Sequence, residues 1–390
     1  MSNRICLSSP HMGDEEKKYL EQTLASNWIA PVGPNIDQFE SEIAKLVGVS
    51  HVLAVSSGTA AIHLALMLLN VQQGDSVFCQ SFTFVASANP ILYLGANPVF
   101  IDSETDTWNM DPILLKAALE DACRKNSLPK AIIIVHAFGM PAKMAELTAI
   151  TEEYGVPILE DAAEAIGSKI GEHYCGAFGQ YGVFSFNGNK IITTSGGGTL
   201  LSNNGISIQR ARFLASQAKE AAPHYQHSQI GYNYGLSNLL AGIGLGQLTV
   251  LEDRIHARRS NYERYRAVFE KYNAMGYQFQ FQEEPSGHFS NRWLTCLLID
   301  PEKNLGLSSQ AIRLAFEKEN IETRPLWKPL HQQPIFENCI SYTNGVSDLL
   351  FEQGICLPSG SNLNNEAFNR IINCFDAILE QNAQCGTVAI

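Results

Sequence analysis

Short apolar runs alternate with amphipathic segments between residues 51 and 201, and this alternation constrains the fold more than any other feature of the chain. The apolar runs are predicted strands at residues 51–56, 76–79, 98–101, 131–136, 157–160, 182–186 and 199–201. Helical spacing lies between several of them, at residues 61–69, 112–125 and 144–154. Strands that alternate with helices predict βαβ units and a mainly parallel central sheet. Because the runs are apolar almost throughout, we expect both faces of the sheet to be covered.

The character of the sequence changes near residue 251, where a long polar helix is predicted at residues 252–272. A strand at 292–299, a helix at 308–320, an irregular loop at 323–336 and a last helix at 365–381 are predicted to follow. We therefore predict a large α/β domain over residues 1–250 and a smaller α+β domain over residues 251–390.

The chain is acidic, with a formal net charge of −12 over 390 residues, and this argues against general affinity for nucleic acids. An anionic small substrate would need local cations. Arginine and lysine are gathered at Arg210, Arg212, Lys219, Arg254, Arg258 and Arg259. For the last three residues, a solvated helix face is an equally good interpretation.

Nine scattered cysteines form no C-x-x-C pair, and their irregular spacing does not indicate a disulfide framework. The first residues lack an apolar region followed by small residues, so no signal peptide is predicted. No run approaches the roughly 18 apolar residues that a membrane span requires. We therefore expect a reduced, cytoplasmic protein without a membrane segment, and we expect no metal site.

A single lysine, Lys190, stands between the predicted strand 182–186 and a glycine triplet at 196–198. Asp161 ends another predicted strand, where ligand groups gather in open α/β sheets. A lysine amine forms Schiff bases with carbonyls, and a carboxylate can keep a pyridinium nitrogen protonated. The alternative interpretation of Lys190 is an ordinary surface lysine, and that of Asp161 is the N-cap of a helix. The combination with the glycine triplet favours an enzyme that uses pyridoxal 5′-phosphate (PLP).

Two further residues could contact such a planar cofactor. Phe84 follows the predicted strand 76–79, and its ring could stack on the cofactor, although core packing is the commoner fate of phenylalanine. Glu164 would lie one helical turn from Asp161 and could reach the hydroxyl side of the cofactor ring. A solvated helix position is a nearly equal alternative for Glu164.

The turn Ser57-Gly58-Thr59 joins a predicted strand to a predicted helix. Free N–H groups at a helix N-terminus bind phosphate, and Gly58 allows the backbone to approach closely. An ordinary capped turn explains the same residues about equally well. The turn fits neither a Walker A loop nor the G-x-G-x-x-G pattern, which disfavours nucleotide kinases and dehydrogenases.

These motifs together resemble the sugar aminotransferases of PLP fold type I, which share the fold of aspartate aminotransferase. The matching segments are residues 56–63, 80–86, 160–164, 184–198, 231–238 and 323–331. They follow the family's order and extend over almost the whole chain. The amino-acid sequences of these segments are most similar to those of aminotransferases from bacterial exopolysaccharide and glycan gene clusters.

The resemblance implies a role for each matching residue. Lys190 would hold PLP as a Schiff base, Asp161 would pair with the pyridinium nitrogen, and Glu164 would lie near the 3′ oxygen. Phe84 would stack on the ring. The phosphate would be held by Gly58, Thr59 and Ser185.

Other implied contacts concern the substrate and a second subunit. Asn233 would reach the phosphate of the neighbouring subunit's cofactor, which implies a homodimer with shared active sites. The substrate would be contacted by Arg324, Trp327, Lys328 and His331. One position departs from the family, which commonly has an arginine where this chain has Gly235.

The expected activity is therefore amino-group transfer from an amino acid, usually glutamate, to a nucleotide-linked 4-keto-6-deoxysugar. A UDP-linked 2-acetamido sugar is the first expectation, and a GDP- or dTDP-linked ketosugar is the alternative. Related sugar dehydratases have histidine in place of the lysine, so Lys190 argues against them. A cysteine desulfurase would need a cysteine in a mobile polar loop. A non-catalytic PLP-binding regulator would be expected to carry an extra domain or to lack the lysine.

Overall fold

The structure is a computed structural model that describes residues 3–386, with side chains described through residue 383. Helices occur both in residues 1–250, the predicted α/β domain, and in the residues that follow. They are α1 Glu15–Ser26, α2 Pro34–Val47, α3 Gly58–Leu68, α4 Asn89–Tyr93, α5 Pro112–Arg124, α6 Met144–Tyr154, α7 Gly205–Ala215, α8 Asn238–Leu248, α9 Leu251–Ala274, α10 Ser309–Lys318, α11 Val346–Gln353 and α12 Asn365–Gly386.

The strands include all seven that the sequence predicts between residues 51 and 201. They are β1 His51–Val55, β2 Ser76–Gln80, β3 Asn97–Ile101, β4 Ala131–Val135, β5 Ile158–Asp161, β6 Lys169–Ile170, β7 His173–Tyr174, β8 Tyr181–Ser185, β9 Gly198–Ser202, β10 Phe279–Phe281, β11 His288–Phe289, β12 Thr295–Ile299, β13 Arg324–Pro325, β14 Ser341–Tyr342 and β15 Gly354–Leu357.

Eight strands form the central sheet, in the order β1-β9-β8-β5-β4-β2-β3-β14. Only β9 runs against its two neighbours, so the sheet is mainly parallel, as predicted. Strand β4 shows why the apolar runs are continuous. Ile133 packs into the core on one face of the sheet, whereas Ile132 and Ile134 pack into the core on the other.

The carboxyl ends of β1, β2, β4, β5 and β8 lie at one edge of this sheet, because all five strands run in the same direction. Asp161, at the end of β5, is level with Val135 on one side and Val183 on the other. Gly198 pairs with both Val55 and Ser185. The pairing register of these strands therefore places the predicted site segments side by side at the carboxyl edge of the sheet.

The second sheet is antiparallel, in the order β10-β12-β15-β13, and it packs with α9, α10 and α12 around an aromatic core. Three pairings cross the predicted boundary at residue 250. Ile5 bridges to Ile321, β11 pairs with β6, and β14 adds a parallel edge strand beside β3. The division into domains 1–250 and 251–390 remains a prediction, and these segments join the two regions closely.

Candidate active site

A cavity of about 800 Å³ lies at the carboxyl edge of the central sheet, facing β13 and the loop after it. Ten of the twelve residues predicted for the site line it. These are Gly58, Thr59, Phe84, Asp161, Glu164, Ser185, Lys190, Arg324, Trp327 and Lys328. Asn233 and His331 are not among the residues that line the cavity.

Asp161 is nearly buried, at 5% exposure, and its carboxylate is held by two donors. Ser87 Oγ donates to Oδ2 at 2.6 Å, and the backbone N–H of Ala163 donates to Oδ1 at 3.1 Å. Thr83 Oγ1 lies 2.8 Å from Ser87 Oγ and donates to it, because the Ser87 hydroxyl proton is already directed to Asp161. The carboxylate is thus fixed in orientation at the floor of the cavity.

Lys190 reaches into the cavity from the loop between β8 and β9. Its Nζ lies 3.0 Å from Glu164 Oε1 and 4.4 Å from the centre of the Trp293 ring. The lysine side chain is 13% exposed and that of Glu164 is 6% exposed. The carboxylate and the aromatic ring therefore hold the amine in a partly desolvated position.

Glu164 is an unusual carboxyl group, because burial raises its pKa to about 6. The neighbouring charge of Lys190 and a hydrogen bond from the Phe138 N–H oppose that rise. Phe138 itself adopts a left-handed backbone conformation, with φ at 57°. A non-glycine residue in this conformation carries strain, which often accumulates at functional sites.

The turn before α3 fits a phosphate group. Ser57 caps the helix by accepting from the Ala60 N–H at 3.0 Å. Within residues 3–386, no group accepts a hydrogen bond from the Gly58 or Thr59 N–H. A Cβ atom added at Gly58 would lie 3.2 Å from Ser185 Cβ. Two free donors beside a serine hydroxyl therefore form a cradle that a side chain at Gly58 would crowd.

The glycine triplet has a packing reason as well. A Cβ atom added at Gly198 would lie 2.5 Å from the Gly58 nitrogen, so β9 can pass this turn only without a side chain. This close approach explains why the sequence places glycine there, eight residues after Lys190.

Phe84 is 59% exposed, although it lines the cavity. Among the described aromatic residues, none makes a ring contact with it. An aromatic side chain left open at the mouth of a cavity is free to stack on a planar ligand.

The opposite wall is formed by the segment after β13. The Trp327 ring stacks on Phe138, with centroids 4.3 Å apart and planes at 22°. Arg324 donates to Glu322 at 3.0 Å, and 67% of its side chain is exposed. Lys328 also lines the cavity, and no ion pair forms at its amine in the part of the chain that the structure describes. Lys328 is therefore the cation of this wall with an uncommitted charge.

Two predicted residues lie elsewhere. His331 Nδ1 lies 2.7 Å from Ser81 Oγ, and its Nε2 lies 3.0 Å from Asp348. Asn233 is exposed, in an isolated bridge with Ser216. Gly235 bridges to Val55, and a Cβ atom there would lie 3.2 Å from Pro31. Neither His331 nor Asn233 faces the cavity of its own chain.

None of the gathered arginines and the lysine of the sequence analysis is among the residues that line the cavity. Arg212 pairs with Glu40, and Arg259 pairs with Glu284. Arg254 donates to backbone carbonyls of the N-terminal segment. Arg258 is only 1% exposed, so the solvated-face interpretation is wrong for it. The spacing of the residues predicted the helix α9, but it did not predict which segments pack against that helix.

Sequence reasoning missed several residues that hold the site. Three of them line the cavity and each contacts one predicted residue. Ser87 contacts Asp161, Phe138 contacts Glu164, and Trp293 contacts Lys190. Behind Asp161, the His136 ring lies 2.9 Å from Glu160, and both are fully buried. The Ala142 N–H donates to His136 Nδ1, so Nε2 carries the proton that Glu160 accepts. No local pattern marks these residues, because each depends on a contact between distant segments.

Two features are absent from residues 3–386, a metal site and a membrane-spanning helix. No group of histidine, cysteine, aspartate and glutamate there could hold a metal ion. No described helix combines the length and apolarity needed to cross a membrane.

Comparison with known proteins places the chain in a family. The model of the DegT/DnrJ/EryC1/StrS aminotransferase family matches residues 10–376. A Bacillus subtilis protein, EpsN, whose name describes a pyridoxal phosphate-dependent aminotransferase, is 54% identical over 378 residues, covering 95% of each chain. The GDP-perosamine synthase of Vibrio cholerae is 36% identical over 372 residues, covering 95% of this chain and 98% of that protein.

The solved structures agree with this result. A DegT DnrJ EryC1 StrS aminotransferase from Brucella abortus is 29% identical, with a TM-score of 0.85, and the match covers 93% of this chain and 95% of that one. The predicted fold class, enzyme class and cofactor are confirmed. The chain belongs to the DegT/DnrJ/EryC1/StrS aminotransferase family and is a sugar aminotransferase that uses pyridoxal 5′-phosphate.

Proposed function

We propose that the protein transfers an amino group from glutamate to a nucleotide-linked 4-keto-6-deoxysugar, with a UDP-linked 2-acetamido sugar as the first candidate, for bacterial polysaccharide or glycan synthesis in the cytoplasm. The observation that carries the proposal is one cavity that holds Lys190, Asp161 and the free N–H groups of Gly58 and Thr59 on one wall and Lys328 on the other. The first three fit the cofactor, and Lys328 fits an anionic substrate.

The cofactor would be held by residues whose chemistry matches each of its parts. Lys190 Nζ would bind it covalently, Asp161 would pair with the ring nitrogen, and Gly58, Thr59 and Ser185 would hold the phosphate. Bound PLP supplies an electron sink that stabilises negative charge at the donor's α-carbon. Phe84 would cover one face of the ring, and Glu164 would lie beside its 3′ oxygen.

Lys190 also serves as the proton carrier in this proposal. When the amino group of glutamate takes its place on the cofactor, Lys190 Nζ would be free to accept the proton of the glutamate α-carbon. Glu164, 3.0 Å away, holds the amine on the correct side of the cavity. After the keto acid formed from glutamate has left, the same groups would act in reverse order on the ketosugar, so the reaction would proceed in two separate halves.

The substrate's diphosphate requires local cations, because the protein as a whole is acidic. Lys328 is the first candidate, since its amine is uncommitted, and Arg324 is the second, since it is paired with Glu322. Trp327 presents an aromatic surface for the sugar. The predicted contact of His331 with the sugar remains a prediction.

A GDP-linked ketosugar is the second candidate substrate. Proteins named GDP-perosamine synthase from Vibrio cholerae and Escherichia coli O157:H7 are 36% and 34% identical to this chain. Both nucleotides present a diphosphate, so Lys328 and Arg324 would serve either one. The base, which differs, would decide between the two substrates.

Product masses would test the substrate. The purified protein is incubated with glutamate and a panel of UDP-, GDP- and dTDP-linked 4-keto-6-deoxysugars, and the Lys190→Ala variant is the control. We expect the largest amine product from the UDP-linked 2-acetamido sugar. A preference for a GDP- or dTDP-linked sugar would replace the UDP assignment. Turnover of ketoacids with no sugar nucleotide accepted would overturn the substrate class.

We also propose a homodimer in which Asn233 serves the partner subunit's site. The side chain of Asn233 is exposed and lies outside the cavity of its own chain. The nearby loop exposes apolar side chains, with Trp28 at 54%, Ile29 at 49% and Val32 at 64%. This loop accepts hydrogen bonds from Asn238, so it adjoins the segment that carries Asn233. Exposed apolar patches of this kind mark protein interfaces.

Mixed dimers would test the shared site. Lys190→Ala and an impaired Asn233 variant are mixed under conditions in which subunit exchange is confirmed. A hybrid dimer would contain one site with both residues intact, so part of the activity should return. Two Lys190→Ala preparations mixed in the same way are the control. No recovery would contradict the assignment of Asn233.

A further inference from the structure

A buried arginine that forms no ion pair with any described residue lies close to the loop that carries Lys190. Arg258, on α9, is only 1% exposed, and no carboxylate pairs with it within the described part of the chain. Burial, with a smaller contribution from the neighbouring Arg254, lowers the pKa of its guanidinium to about 9. A buried charge of this kind is costly unless hydrogen bonds compensate it.

The hydrogen bonds of Arg258 join three segments that are distant in sequence. One terminal nitrogen donates to the carbonyls of Trp293 and Ser359, the latter at 3.4 Å. The other donates to Ser8 Oγ at 2.9 Å. The guanidinium therefore fixes the N-terminal segment and the segment before β12 at the same point.

Two of these partners act on the peptide that precedes Lys190. Ser8 Oγ donates to the Asn189 carbonyl at 2.8 Å, and the Trp293 indole N–H donates to the same carbonyl at 2.9 Å. The Trp293 ring is also the surface that lies 4.4 Å from Lys190 Nζ. The carbonyl of Asn189 thus accepts two hydrogen bonds whose donors are both anchored on Arg258.

We propose that Arg258 is a positioning residue for Lys190, acting through Ser8 and Trp293 on the Asn189–Lys190 peptide. This inference rests on the assignment of Lys190 as the cofactor-binding lysine. An apolar side chain in this place could fill the same volume, but it could not direct two donors at one carbonyl. The guanidinium holds both segments at once because it donates from two terminal nitrogens, and a lysine amine would retain part of this donor capacity.

Hydrogen exchange of the apoprotein tests the coupling without any cofactor. In Arg258→Met, the amides of residues 187–194 should exchange faster, on the order of tenfold, because the loop is less constrained. The matched control is Arg259→Met, which removes the adjacent charge from the same helix but leaves the Asn189 contacts intact. Unchanged exchange in Arg258→Met, or equal acceleration in Arg259→Met, would overturn the proposal.

Kinetics of the holoenzyme provide the second readout. Arg258→Met should lower kcat on the order of a hundredfold, as expected for a misplaced catalytic group, and should leave KM for the sugar nucleotide within about threefold. Arg258→Lys should recover part of kcat because it retains a donor. Equal losses in the Met and Lys variants would show that volume rather than hydrogen bonding matters, and would overturn the proposal.

Gentler variants keep the test usable if Arg258→Met does not fold. Ser8→Ala and Trp293→Phe each remove one donor to the Asn189 carbonyl, and each should accelerate exchange at residues 187–194. No acceleration in either variant would contradict the proposed route. Borohydride trapping in the wild-type protein separates this inference from the proposed function. If the cofactor maps to another lysine, the assignment of Lys190 is wrong, whereas the exchange result still reports the coupling by itself.

Discussion

The two walls of the cavity are built differently. The wall at the sheet edge consists of buried groups, with Asp161 at 5% exposure and Glu164 at 6%, and each carboxylate accepts two or more hydrogen bonds. The wall after β13 belongs to a two-residue edge strand and an irregular loop. The side chain of its Arg324 is two-thirds exposed and pairs with Glu322.

The difference matches the ligands that the walls would bind. A cofactor that is the same in every turnover requires fixed groups, and a sheet edge supplies them because neighbouring strands fix each residue's position. A substrate that varies between family members is better served by a loop, since loops change without disturbing the core. If the two walls are separate in function, a change on one wall should leave the ligand of the other wall unaffected.

Lys190→Ala should abolish both turnover and the cofactor adduct trapped by borohydride, because no other lysine of the described residues lines the sheet-edge wall. Mass spectrometry of the trapped peptide measures the second effect. Lys328→Ala, on the opposite wall, is the control and should still be trapped at Lys190. An adduct on a different lysine would show that the sheet-edge wall is wrongly assigned.

Asp161→Asn should lower kcat about a hundredfold or more, which is the size of effect seen when one preorganised charged or polar group is removed from an active site. The amide keeps the shape and can still contact Ser87, but it cannot balance a positive ring nitrogen. Steady-state kinetics with glutamate would measure the loss. A kcat within about threefold of wild type would remove Asp161 from the catalytic wall.

Glu164 should make the stability of the apoprotein depend on pH. Its pKa is raised from the ordinary 4.5 to about 6, so the stability it contributes is fully present below about pH 4.5 and is lost as pH rises through 6. Relative to Glu164→Gln, the wild type should lose about 2 kcal/mol of unfolding free energy between pH 4.5 and pH 7. Urea titrations of both proteins measure this slope. A difference that is constant with pH would contradict the raised pKa.

Lys328→Gln should raise KM for the sugar nucleotide about tenfold, since one hydrogen bond to a charged group contributes roughly 1.5 kcal/mol. The glutamate half-reaction should be unchanged, because each half binds its own substrate. Arg324→Gln is the matched comparison on the same wall. It should have a smaller effect, because an exposed cation already paired with Glu322 contributes little. Equal changes for both substrates would show that the two walls are not separate.

His331→Ala should have the smallest catalytic effect, with KM for the sugar nucleotide changed by less than about threefold. The ring contacts Ser81 and Asp348 rather than the cavity, so we expect a loss of stability of about 1 kcal/mol instead. Thermal unfolding and steady-state kinetics together measure the two effects. A large rise in KM would instead support the contact between His331 and the sugar that the family resemblance implies.

Seven of the eight strands of the central sheet could be predicted, because each is a continuous apolar run that ends at a polar or glycine-containing turn. The predicted strand 292–299 is shorter in the structure and begins at Thr295. Arg292 has φ at 52°, and a left-handed residue cannot continue a strand. Strand β14 was not predicted at all, since its two residues form a strand only by pairing with the exposed edge of β3.

Local sequence patterns are enough to predict the α/β fold, the order of the sheet-edge motifs, and Lys190, Asp161 and Gly58 as candidate site residues, and all three residues line the cavity. These features depend on local patterns, because the end of a strand and the start of a helix are both visible in the chain. The tertiary structure alone decided that Trp293 and Ser8 support Lys190, that Arg258 is buried rather than solvated, and that His331 lies outside the cavity. Each of these facts depends on which distant segment packs against the residue, and the spacing of residues along the chain does not predict that contact.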